Sequence, residues 1–119
     1  MFFIHCYHQL IFKDMTNARE EMLELLKGKE IKCAEVTTGR DWYEEDERRT
    51  IVLKVGHDEE DYVKFLNDLN FEYDSGYGGQ ELYGTVWFKD NTWAGRGEYD
   101  GSEWWEEHSL PEIPKELLP

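Results

Sequence analysis

Thr50-Ile51-Val52-Leu53-Lys54-Val55-Gly56-His57-Asp58-Glu59-Glu60-Asp61-Tyr62-Val63-Lys64-Phe65-Leu66-Asn67-Asp68-Leu69 changes its hydrophobic period partway along. Thr50 to Val55 is the most hydrophobic stretch of the chain and reads as a strand. Beyond it, Asp58 is placed to cap a helix, and the acids at 59 to 61 suit a positive helix N-terminus. Tyr62, Phe65, Leu66 and Leu69 then recur at i, i+3, i+4 and i+7, the spacing of one buried helix face. A strand that passes directly into an amphipathic helix belongs to an α+β or α/β layer, and the flanking sequence decides which.

Upstream, Phe3 to Phe12 is rich in aromatic and β-branched residues and alternates, which predicts a first strand. Asn17 with Glu20 fits a capping box, Ala18, Met22, Leu25 and Leu26 follow at helical spacing, and Gly28 stops the helix. Glu30 to Thr38 reads as a second strand with Ile31, Cys33 and Glu35 on one face. Gly39 to Arg49 is a polar, acidic loop with Trp42 and Tyr43 embedded in it.

Downstream, Phe71 to Asp74 is a short strand, followed by the glycine-rich link Ser75-Gly76-Tyr77-Gly78-Gly79. The order is then β-α-β-β-α-β, that of the ferredoxin-like fold. Glu81 to Phe88 alternates, Asp90-Asn91 suits a tight turn, and Trp93 onward returns as an added C-terminal hairpin. The expectation is therefore α+β, with an antiparallel sheet backed by two helices. In a variant of this reading the Phe71 segment is only a bridge, and Leu82 to Phe88 is the true fourth strand. Residues 1–119 form a single domain, ending in an irregular tail, 109–119, with three prolines, laid on the surface by Leu110, Ile113 and Leu117.

Charge bounds the function. The chain has 13 Lys and Arg against 27 Asp and Glu, a net charge of −14 in 119 residues. Phosphate neutralisation needs clustered cations, so the balance argues against direct nucleic-acid binding. A basic protein surface is the complementary partner. Aromatic residues make up 15% of the chain, more than a disordered acidic chain carries, so it folds. No apolar run is long enough to span a membrane, and Met1-Phe2-Phe3-Ile4 lacks the basic start of a signal peptide. The expected location is the cytoplasm, with Cys6 and Cys33 as reduced thiols.

No motif carries catalysis. His5 and His8 fall on opposite faces of a strand, and neither they nor His57 and His108 show a metal-ligand spacing. Cys6, Ser75 and Ser102 lie in no nucleophile motif. Gly76-Tyr77-Gly78-Gly79 lacks the lysine and the following helix of a phosphate loop. The expectation is a protein that is not an enzyme and uses no metal or cofactor.

Two segments are recognition candidates. The first combines Trp42 and Tyr43 with Glu44, Glu45, Asp46 and Glu47. The second contains Trp93, Glu98, Tyr99, Asp100, Glu103, Trp104, Trp105, Glu106 and Glu107, where rigid aromatics supply contact area and acids pair with a basic partner. Its plainer reading is a hairpin arm and a short helical turn capped by Ser102. One of the adjacent tryptophans then plugs the core and the other stays partly exposed.

Gly84-Thr85-Val86-Trp87-Phe88, Arg96-Gly97-Glu98-Tyr99-Asp100-Gly101-Ser102-Glu103-Trp104-Trp105 and Pro111-Glu112-Ile113-Pro114 resemble the C-terminal half of a group of small tailed-phage proteins, over about residues 65 to 117. The resemblance implies a phage setting and assigns no role to any residue. Small acidic phage proteins resemble one another in strategy: they occupy the basic nucleic-acid or nucleotide site of a host enzyme. The leading expectation is accordingly an acidic inhibitor of a host protein, such as a defence nuclease. A second reading is a nucleotide- or sugar-binding module built on Trp87, Trp93, Tyr99, Glu103 and Trp104. A third is a homodimer or larger assembly paired through the hairpin edge.

Overall fold

The computed structural model describes residues 15–39, 48–76 and 79–119. The strand expected over Phe3 to Phe12, with Cys6, His5 and His8, lies outside the described residues, as does the acidic segment 40–47.

Both helices start as their caps dictate. Asn17 accepts the Glu20 amide at 2.9 Å and opens α1, Ala18–Leu25. Glu20 turns its carboxylate to Arg19 instead, so one half of the expected capping box forms. The box is complete at the second helix: Asp58 and Asp61 exchange side-chain-to-amide bonds, and α2 runs Glu59–Asp68. Ala18, Met22 and Leu26 from the first helix and Phe65, Leu66 and Leu69 from the second are buried together.

The strands are β1, Met15–Asn17; β2, Ile31–Thr38; β3, Arg49–Leu53; β4, Glu72–Asp74; β5, Leu82–Phe88; β6, Thr92–Tyr99; and β7, Ser102–Ser109. They form a five-stranded sheet in the order β3-β2-β5-β6-β7 and a small β1-β4 ribbon. The fold is α+β, with two helices among the described residues and antiparallel pairing throughout them. The ferredoxin-like order is not borne out there, because a split β-α-β unit places strands in parallel. The segment after Phe71 is instead a bridge to β1, and Leu82–Phe88 takes the place beside β2.

β2 departs from simple alternation. Ile31 pairs with Phe88 and Cys33 with Trp87, so Lys32 is an extra residue in the strand. The bulge resets the parity. Ile31, Ala34 and Val36 are buried, while Cys33, a half-buried free thiol, and Glu35 turn to the opposite face from the one expected.

The sheet's inner face carries Ala34, Val36, Ile51, Leu53, Leu82, Val86, Phe88 and Ala94 against the helices. Two corrections concern the C-terminus. Ser102 caps no helical turn: it begins an eight-residue strand. The tail does not bury its apolar side chains either, since Leu110, Ile113 and Leu117 are 75%, 61% and 73% exposed. Pro111, Pro114 and Pro119 remove amide donors there, and a short 3₁₀ turn at Lys115–Leu117 is its one regular element. No described helix is long and apolar enough to cross a membrane.

Candidate binding surface

The β6–β7 hairpin is closed by Asp100 and Gly101, with φ of 52° and 90°. Two successive left-handed residues match the twist of the flanking strands, which is why Asp-Gly closes tight hairpins. The ladder runs unbroken from Tyr99–Ser102 to Thr92–Ser109. Alternation then divides the candidate residues between two faces with different roles.

The outer face turns away from the helices. Trp87 stands opposite Trp93, and Trp93 opposite His108, with the indole and imidazole stacked at 4.3 Å. Further along, Trp104 lies opposite Gly97. A side chain at Gly97 would meet the Trp104 ring at 2.7 Å, so the bare glycine is what lets the indole lie down on the sheet. The Trp104 indole nitrogen donates to Glu106 at 3.2 Å, and Tyr99 stands near the tip, 76% exposed. Trp93, Trp104, Glu106 and Tyr99 thus share one face, as the recognition reading requires.

The inner face holds a polar node that the sequence reading missed. Arg96, its side chain 2% exposed, bonds Glu103 at 2.7 Å, the Tyr73 hydroxyl at 2.9 Å and Glu21 at 3.2 Å. Its guanidinium also lies 4.9 Å from the Trp105 ring centre. Glu103 in turn accepts the amides of Glu81 and Leu82 at 2.8 and 3.1 Å. Glu103 was expected at a partner surface, and the structure corrects this: it is 5% exposed. Trp105 likewise packs against the core, and the exposed member of the Trp pair is Trp104, as the alternation of a strand requires.

Burial works against the Arg96 charge, yet Tyr73, Glu21 and Glu103 around it hold the guanidinium protonated beyond its ordinary range. Burial also pushes the Tyr73 phenol up; Arg96 opposes this, and Glu21, which accepts the Tyr73 proton in a short hydrogen bond, adds to it. The sign follows: a raised folded-state pKa means the neutral phenol's contribution is whole below roughly pH 10, the unfolded value. It is lost as pH climbs from there through the folded value. We expect the wild-type chain, with seven tyrosines, to show near pH 10 the same phenolate absorbance as Tyr73→Phe, which has six. One tyrosine's worth of additional phenolate in the wild type there would show that the phenol is not held.

The remaining candidates are peripheral. Glu98 is exposed and accepts the Gly101 amide at 3.2 Å, so it shapes the turn. Asp100 is exposed at the tip. Glu107 faces inward at the rim, 4.0 Å from Lys29. Trp42, Tyr43, Glu44, Glu45, Asp46 and Glu47 lie outside the described residues.

Of the residues grouped for a small ligand, Trp87, Trp93, Tyr99 and Trp104 share the outer face, while Glu103 is on the other. A pocket of about 490 Å³ opens at the Trp87–Trp93 end, with Lys32 and Leu110 in its wall. Among the described residues no three His, Cys, Asp or Glu side chains converge as a metal site would need. Compared with protein-family models, curated proteins and solved structures, the chain matches none.

Proposed function

We propose that this protein is a non-catalytic binding module that docks on a basic surface of another protein, an acidic inhibitor by analogy with the strategy of other small acidic phage proteins. The observation in support is the outer face of β5, β6 and β7, where Trp87, Trp104 and Tyr99 are 43%, 37% and 76% exposed. Large aromatics on a rigid sheet bind at little entropic cost, and they supply most hot spots of protein interfaces. Glu98, Asp100, Glu106 and Glu107 rim the same hairpin, and the net charge of −14 steers it toward a basic cleft.

The test is surface-immobilised protein presented with purified nucleic-acid-handling enzymes of the host. The expected binder associates about tenfold more slowly when salt rises from roughly 0.05 to 0.5 M, and it loses about 30-fold or more in affinity to Trp104→Ala with Trp87→Ala. A binder indifferent to salt and to both substitutions would end this reading.

The pocket beside Trp87 and Trp93 favours a second reading, a site for a small planar ligand. Tryptophan fluorescence would respond to such a compound, and silence across nucleotides and sugars would remove it.

A further inference from the structure

β7 stands last in the sheet order, so among the described residues one of its two sides has no neighbouring strand. Which backbone groups face that side follows from the turn. A two-residue loop makes Tyr99 and Ser102 a hydrogen-bonded pair, and bonded pairs alternate from there. Trp104, Glu106 and His108 therefore bond to β6 through Gly97, Gly95 and Trp93. Glu103, Trp105, Glu107 and Ser109 point their amides and carbonyls outward. The Glu103 amide bears out this parity, since it donates away from β6 to the Ser75 carbonyl at 2.9 Å. Past it, the outward groups of Trp105, Glu107 and Ser109 have no backbone partner among the described residues.

Natural edges are blunted by prolines, bulges or lysines, and Ser102–Ser109 has none of these. Its charged residues are instead Glu103, Glu106 and Glu107. A second copy of β7 would bring these acids against their own kind, whereas a basic strand meets complementary charge.

The face of β7 turned toward α1 adds a specific feature. A recess of about 240 Å³ lies between strand and helix, lined by Glu21, Glu24, Leu25, Trp104 and Trp105. In a strand added to β7, the residue opposite Trp105 points to the helix side, over this recess. A lysine or arginine there lays its stem along Leu25 and the Trp105 indole and carries its charge to Glu24. Among the described residues the Glu24 carboxylate makes an exposed pair with Lys27 at 3.4 Å, which costs little to exchange. The neighbouring residue of the added strand falls on the outer face, beside Glu106.

We infer that β7 accepts an extended basic segment of the partner as a sixth strand, with a basic side chain seated in the Glu24–Leu25–Trp105 recess. This rests on the basic-partner reading above and supplies its mode: main-chain bonds give affinity, and the recess gives sequence preference.

The probe is a fluorescein-labelled peptide as long as β7, alternating arginine and valine, followed by anisotropy with the full chain. A matched peptide methylated at every arginine amide keeps the charge and loses the donors. The methylated form should bind about tenfold or more weakly, since at least two hydrogen bonds go. Glu24→Lys should weaken the unmodified peptide about tenfold, as one interfacial charge pair is reversed. The Trp105 and Glu107 amides should gain protection from hydrogen exchange when the unmodified peptide binds.

Equal binding of the two peptides would overturn strand addition and leave the basic-partner reading standing. Failure of both peptides, alongside a basic protein that binds through Trp87 and Trp104, would overturn it equally. So would a dimer in sedimentation with Trp105 and Glu107 protected before any peptide is added, because a second copy would then hold the edge.

Discussion

Glu103→Ala should cost about 3–5 kcal/mol of stability, the scale for breaking a buried, hydrogen-bonded ion pair by removing one partner. Three groups lose their acceptor at once: the Arg96 guanidinium and the amides of Glu81 and Leu82. Of the partners described for Arg96, Glu21 and the Tyr73 hydroxyl then remain to a side chain that is 2% exposed. For a domain of this size the loss lowers the melting temperature by on the order of 10–20 °C. Replacing both partners by apolar residues, Arg96→Met with Glu103→Leu, removes the stranded charge and should be milder than Glu103→Ala. It still takes the Glu103 acceptor from the two amides, so wild-type stability is not regained. Urea unfolding of the three proteins checks the order; a Glu103→Ala midpoint within about 1 kcal/mol of wild type would show the node to be dispensable.

Gly84→Ala should be comparably damaging, for a steric reason. Gly84 sits in β5 opposite Val36 with φ of 151°, a conformation that is essentially confined to glycine. A methyl group there would lie 2.3 Å from the Glu35 carbonyl oxygen and 2.9 Å from the Val36 Cα, both backbone atoms of the neighbouring strand β2. Neither can yield without opening the β2–β5 ladder, and about 3 kcal/mol or more is the expected loss. Gly56→Ala is the control. Its φ is +83°, but nothing lies within 4 Å of the added carbon, so it carries only the left-handed strain of about 1–2 kcal/mol. Similar losses at the two glycines would mean that β2 and β5 can part at little cost.

The helices were legible because their signals are local. Asp58 and the Tyr62, Phe65, Leu66, Leu69 stripe specify α2 without reference to the rest of the chain. The β2 bulge was not legible: Lys32 carries no glycine or proline to mark it, and one extra residue inverts every face assignment after it. At the second hairpin the signal was present in Asp100-Gly101, but Ser102 followed by acids also reads as a helix cap. Two local readings competed, and pairing with β6 decided between them.

The site divides in the same way. Exposure of one tryptophan of the Trp104–Trp105 pair follows from alternation alone. The inward turn of Arg96 follows only once β6 is known to place the buried Ala94 on the helix side, two residues earlier. Its partners come from α1, β4 and β7, and no spacing in the sequence joins them.

β5 and β6 pair only over Thr85–Gly95 to Trp87–Trp93, and past that point the hairpin is tied back by the Arg96–Glu103 node. The node joins residues 75 apart at Glu21 and 23 apart at Tyr73. Such closures are entropically costly, so they are made after the local helices and hairpins have formed. Arg96, through its bonds to Glu21 and Tyr73, is thereby a late checkpoint in folding. Its interactions are absent from an early transition state, so they set how slowly the native protein comes apart and leave the rate of assembly largely untouched.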